Sequence, residues 1–284
     1  MGWIRNVAQL QSLGGLFLIT GSFHADLRNR INYLHARHGS KITNEDMLFT
    51  LCLFIFEPLR LCEEYEWRAP TDLERKARFV WYRELGIRMG ITNIPSTREA
   101  LVIWRDQYQA EKMVYAPSNT LAGEATLELL LRPLPSLLRP SARQAAMVLL
   151  PSSVRVAFGW PAAPAYLCTL LPLVLKSRAT FIRYCLPPRQ QPHPLYSGVM
   201  KRSNELQTNE GTFYKREAYL FEPWYTSSSS MNTLWSYLGY QLPSKEYQKE
   251  GYRIESVGPK YLEDQGREKT LTLAAKIRDA ATLA

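Results

Sequence analysis

The sequence predicts an all-α protein, and three observations predict it. Apolar residues recur at spacings of three and four through most of the first 189 positions, helix-start patterns precede those runs, and prolines fall between them. No convincing run of alternating strand residues occurs anywhere. The expected core holds roughly eight helices, a count good to one or two.

The elements follow in order. Residues 1–22 are weakly periodic and read as a weakly structured N-terminal segment with at most a short helix. His24 to His38 reads as a helix, with Leu27, Ile31, Leu34 and His35 on one face and Gly39 ending it. This directs His35 to the core and leaves His38 at the solvated end. Thr43 or Asn44 caps the next helix, with Glu45 and Asp46 in its first turn, where the positive end of the dipole favours carboxylates. Met47 to Phe56 is apolar on nearly every side and reads as buried. Pro58 is expected to kink or break this helix, and Leu59 to Arg68 continues it.

Thr71 and Glu74 form a capping box for a helix to about Ile91, with Leu73, Ala77, Val80, Trp81, Leu85 and Met89 as its inward stripe. Ser96 and Glu99 suggest a second box, for a helix carrying Leu101, Trp104 and Tyr108 inward. Pro117, with Ser118 or Asn119, opens a helix through Leu131. Pro133, Pro135 and Pro140 make a connector, Ser141 to Leu150 is helical, and further helical segments follow Pro151 and Pro164 up to about Tyr184. Pro187-Pro188-Arg189 closes a helical domain over 23–189. Residues 190–284 read as an irregular, aromatic-rich arm packed on that body, with Trp224, Tyr225 and Trp235 too apolar for a free linker and a weak final helix over Glu268 to Leu283.

Composition narrows the function. In 284 residues, 46% hydrophobic and 21% charged content is that of a globular protein. The net charge of +9 is scattered among acidic residues, without a dense basic block or a nucleic-acid-binding motif, so no nucleic-acid partner is expected. Cys52, Cys62, Cys168 and Cys185 form no CxxC pair and read as free thiols. The apolar stretch Gly14 to Ile19 is too short for a signal peptide. Val156 to Leu175 lacks charge and has the length of a membrane span, but Gly159, Pro161, Pro164 and Pro172 interrupt it. It reads as a broken, buried helix pair, with a membrane-dipping segment as the open alternative.

His35 is the sharp candidate among the polar residues. On spacing alone, a lone histidine on an apolar helix face is ordinarily a satisfied core residue. Glu63, Glu64 and Glu66 lack partnered histidines and read as a solvated face, not a di-iron site. No GxSxG, HExxH, Walker or dinucleotide fingerprint is present, which leaves hydrolases and NAD enzymes without support.

A set of short motifs carries a family resemblance. Arg28-x-x-Ile31-x-x-Leu34-His35 is followed by Ile42-Thr43-Asn44-Glu45-Asp46-Met47-Leu48-Phe49-Thr50-Leu51. Further matches are Phe56-Glu57-Pro58, Glu66-Trp67-Arg68, Gly86-Ile87-Arg88-Met89-Gly90-Ile91, Ile94-Pro95-Ser96 and Tyr115-Ala116-Pro117-Ser118-Asn119, with Pro223-Trp224-Tyr225 in the arm. Over about two thirds of the chain this resembles the MpaB / rubber oxygenase (latex-clearing protein) family, and in particular its fungal branch.

The resemblance implies a globin-like helical bundle that binds haem b, with His35 in the position of the proximal iron ligand. It implies an oxidoreductase that uses dioxygen to cleave a carbon–carbon double bond of an apolar, isoprenoid or prenylated substrate. In the mycophenolic acid pathway that substrate carries a farnesyl chain. It also implies an intracellular protein associated with the endoplasmic reticulum membrane. Asn44, Glu45 and Asp46 are then candidate cofactor-site residues that orient His35 by accepting its other ring proton; capping the helix is their open alternative. The family's Arg-x-x-x-Thr helix on the oxygen side and its N-terminal anchor have no counterpart in residues 1–34. That reads either as a truncated start or as a divergent copy with an incomplete distal wall. The competing hypothesis is a catalytically impaired or non-enzymatic helical protein that binds an apolar ligand or a membrane surface.

Overall fold

The computed structural model describes residues 22–132 and 134–187, and beyond them 201–202, 214–215, 237, 260–262, 265–266, 268 and 272. The N-terminal segment 1–21 and most of the expected arm, including Trp224, Trp235 and all but Glu268 and Thr272 of the final helix, lie outside the described residues.

The architecture is all-α. Eight α-helices occur among the described residues: α1 Ser22–Ala36, α2 Asn44–Tyr65, α3 Asp72–Arg88, α4 Arg98–Lys112, α5 Pro117–Leu131, α6 Arg139–Leu149, α7 Ser152–Ala157 and α8 Ala165–Cys185. Short 3-10 turns lie at Gly39–Lys41, Ser136–Leu138 and Lys260–Leu262. The arm contributes a two-residue antiparallel ladder not anticipated in the sequence, with Lys201 opposite Lys215 and Arg202 opposite Tyr214.

Helix α2 is central and packs against α3, α4 and α8. Its first half supplies Leu48, Leu51, Cys52, Ile55 and Phe56 to a core shared with Phe79, Tyr82 and Leu85 of α3, Ile91, and Leu101 of α4. Its second half sets Leu61 and Tyr65 against Leu175 of α8. A separate cluster joins Leu127 of α5, Met147 of α6 and Trp160. Gly86 lets α3 approach α2 closely, since a Cβ there would lie 2.7 Å from Leu51 and 2.8 Å from Ile94.

The helix starts follow local chemistry. Thr43 caps α2 in a reciprocal box with Asp46, and Thr71 caps α3 in one with Glu74. The third cap is Thr97, one residue later than the Ser96 box predicts, and its hydroxyl accepts from the Ala100 amide. Helix α5 starts on Pro117 with no side-chain cap, while Asn119 ties the chain inward by donating to the carbonyls of Val114 and Ala157.

Three expectations need correction. Pro58 does not end its helix: α2 runs through it for 22 residues. Proline lacks the N–H that would donate to the Phe54 carbonyl one turn earlier. The Arg78 guanidinium of α3 takes over that role, with Nη2 donating to Phe54 O and Nε donating to Ile55 O at 3.0 Å. The inward face of α3 is Phe79, Tyr82, Leu85 and Gly86, whereas Leu73, Ala77 and Val80 are exposed. Finally, Val156 to Leu175 is indeed broken, because α7 ends at Ala157 and Gly159 turns the chain at φ +68 beside the Tyr115 ring. It is not a buried pair, however. The continuous apolar helix is α8, shifted toward the C-terminus and largely exposed.

Candidate functional site

Helix α1 carries the candidate site, and its burial pattern differs from the expected leucine face. The most buried described residues of α1 are Arg28, Asn29 and Arg30, at 3%, 2% and 0% exposure; Ile31, Leu34 and His35 are half-buried. Burial of three consecutive positions means that the helix is covered on more than one side. On one side Arg30 donates to the carbonyls of Leu262, at 2.8 Å, and of Gln265, which fastens the C-terminal segment to α1. On another side, Asn32 donates to the Arg88 carbonyl at the end of α3, at 3.4 Å.

Arg28, Asn32 and His35 are spaced four and three apart and share one stripe, with Asn29 at its border. Each presents a buried polar atom without a hydrogen-bond partner: Nε and Nη2 of Arg28, Nδ2 of Asn29, Oδ1 of Asn32 and Nδ1 of His35. Such atoms are rare in folded proteins, and several on one face mark a place where another group belongs. Burial lowers the His35 pKa, and the neighbouring His38 lowers it further, so the imidazole is held neutral, the form that binds metal. His38 itself is exposed.

The first turn of α2 spends its polar groups on other partners. Asn44 Oδ1 accepts from the Thr92 amide at 2.8 Å and the Thr92 hydroxyl at 3.1 Å, and Nδ2 donates to Thr92 O at 3.2 Å. It thereby fixes the loop after α3, in which Gly90 and Asn93 hold positive φ. Asp46 closes the capping box with one oxygen and accepts from the Tyr108 hydroxyl at 2.6 Å with the other. Glu45 is exposed. Asp46 thus takes part in the cap of α2, and Asn44 is tied to Thr92. No described hydrogen bond leads from Asn44, Glu45 or Asp46 to His35.

Among the described residues no three His, Cys, Asp or Glu side chains converge as metal donors. Haem iron, which carries most of its ligands with it, would need only one such side chain. The residues present fit that group in two respects: a neutral imidazole with an unpartnered buried nitrogen, and a buried guanidinium on the same stripe. The four cysteines are free, and burial pushes the Cys52 thiol up to about 12, which makes it inert as a nucleophile or ligand.

Residues 17–177, more than half of the chain, match the family described as "ER-bound oxygenase mpaB/B'/Rubber oxygenase, catalytic domain". The chain belongs to this family. Within the mpaB/rubber oxygenase family it is 25% identical over 270 residues to ER-bound oxygenase mpaB' of Penicillium brevicompactum, covering 89% of this chain and 64% of that protein. It is 30% identical over 174 residues to ER-bound oxygenase mpaB of the same organism, 56% of this chain and 38% of the relative. It is 28% identical over 142 residues to ER-bound oxygenase mpaB of Penicillium roqueforti (strain FM164), 45% of this chain and 48% of the relative. The chain therefore spans less than two thirds of the length of these relatives. No solved structure matches. The polar stripe, which the sequence reading did not assign to the site, was detectable as polar residues spaced four and three apart leading to His35.

Proposed function

We propose that this chain is a haem-dependent oxygenase of an apolar, isoprenoid or prenylated substrate, working at a membrane surface of the endoplasmic reticulum. The observation that carries the reading is the buried, unpartnered Nδ1 of a neutral His35 in a member of an oxygenase family. His35 would hold the iron of haem b, and bound haem would supply the redox chemistry by which dioxygen cleaves a carbon–carbon double bond. The chain's own residues do the rest. The Asn44–Thr92 clamp and the Thr43–Asp46 cap hold the loop and helix beside α1 in place. Leu48, Leu51 and Ile91 form part of the apolar core on which that helix and loop are seated.

Support for the membrane surface comes from α8, the one described helix long and apolar enough to cross a membrane. Tyr166, Leu170, Leu173, Val174, Phe181 and Tyr184 form an exposed stripe along it. Its opposite face, with Leu175 and Ala179, packs on the body, so α8 suits lying on a bilayer as an interfacial helix.

The test is the absorption spectrum of the purified full chain supplied with haem, beside that of His35→Ala. The expected result is a Soret band in the wild type that is lost or strongly shifted in the variant. A wild type that takes up no haem would overturn the proposal and bring forward an apolar-ligand or membrane-binding protein without redox chemistry.

A further inference from the structure

We infer that Arg28 is a buried receptor for a carboxylate, carried by the ligand that lies along the Arg28–Asn32–His35 stripe of α1. The inference rests on the reading of His35 only for what occupies the other end of that stripe.

Arg28 is 3% exposed, and among the described residues it makes no ion pair or hydrogen bond. Its unpartnered nitrogens are Nε and Nη2. These form the side-on edge of the guanidinium, whose two N–H bonds run parallel and match the two oxygens of a carboxylate. The nearby carboxylate is already taken, since Glu84 Oε1 accepts from Arg88 Nε at 2.6 Å. Burial and the positive charge of Arg88 depress the Arg28 pKa, and the attraction of Glu84 offsets them only in part. An uncompensated buried guanidinium is strongly destabilising unless an anion meets it. Asn29 Nδ2, also unpartnered and 2% exposed, is a third donor on that side.

Arg28 and His35 are seven residues apart, about 10 Å along the helix. A ligand on this face can therefore set one end at His35 and its acid group at Arg28. Two sources provide that chemistry: the propionate side chains of haem, or an apolar acid such as a prenylated or fatty carboxylic acid.

The experiment uses the full chain and reads binding. One arm titrates haem and haem dimethyl ester by absorbance; the other titrates palmitate and methyl palmitate into haem-free protein by tryptophan fluorescence. Each is run on wild type, Arg28→Gln and Arg28→Lys, with circular dichroism as the check on folding. The wild type is expected to prefer acid over ester by roughly tenfold or more in at least one arm, consistent with a charge-assisted bidentate pair. Arg28→Gln should erase that preference, and Arg28→Lys should restore it only in part. A preference confined to the first arm assigns the carboxylate to the cofactor, and one confined to the second assigns it to the substrate. Failure of the haem reading leaves the second arm intact. The inference is overturned if wild type shows no preference in either arm, which requires no variant to fold, or if a folded Arg28→Gln keeps it.

Discussion

Asp46 and Tyr108 form a pair whose energetics can be read through pH. The Tyr108 hydroxyl donates to Asp46 at 2.6 Å, and that bond, with the one from Thr43, holds the Asp46 carboxyl below its usual range. Burial and the same carboxylate push Tyr108 up to about 12. The signs follow from linkage. A depressed carboxyl contributes stability that is present at neutral pH and lost as pH falls through its folded pKa. A raised phenol contributes stability that is complete below its ordinary value of about 10 and is lost as pH rises toward 12. Tyr108→Phe should therefore lower stability by about 1 kcal/mol at neutral pH. The difference from wild type should narrow below about pH 4 and above about pH 10. Urea midpoints measured across that range check it; a difference that stays constant would assign the loss to packing on Phe49 and Trp104 instead.

Helix α2 shows how one element tolerates a residue that should break it. Pro58 frees the Phe54 carbonyl, and Arg78 from the next helix satisfies it. Arg78→Met should destabilise the protein by about 1–3 kcal/mol by leaving a buried carbonyl unpaired. Pro58→Ala in that background should recover part of the loss, because alanine restores the missing backbone N–H. A double-mutant cycle by urea denaturation measures the coupling, and strict additivity would show that Arg78 acts elsewhere.

The same element marks the limit of sequence reading. The caps at Thr43 and Thr71 and the inward Leu101 were legible, since they depend on residues within one turn. Uninterrupted helix at Pro58 depends on an arginine 20 positions away, and no local pattern encodes that partner. The α3 stripe failed for a related reason. Leu73 and Val80 fit an apolar period, but burial goes to whichever face meets α2, and Gly86 and Tyr82 set that face. The candidate site divides in the same way: His35 stood out by its motif and the polar spacing of its stripe could be read beside it, whereas the burial of that stripe and the lack of hydrogen-bond partners on Arg28 Nε and Nη2 emerge only in the folded chain.

At the scale of the whole molecule, the longest exposed apolar stripe among the described residues lies on α8. A stripe of that size on a protein surface favours a lipid interface. Wild type should sediment with vesicles containing anionic lipid, and a Leu170→Ser, Val174→Ser, Phe181→Ser triple variant should lose roughly tenfold or more of that binding, given the transfer energy of each side chain. Circular dichroism controls for folding, because these positions face away from Leu175 and Ala179. Undiminished sedimentation of the triple variant would direct attention to another surface.

The Arg30 clamp has a consequence for how the protein is made. The carbonyls that receive the buried Arg30 guanidinium of α1 belong to residues made 232 and 235 positions after it. While the intervening chain is still being synthesised, the Arg30 guanidinium keeps its hydration only if α1 stays undocked, because docking would strip that water before these two carbonyls exist. The helix bearing His35 is thus translated well before the segment that locks it. Any group that binds along it meets a finished seat only after the C-terminal segment has closed over its other side.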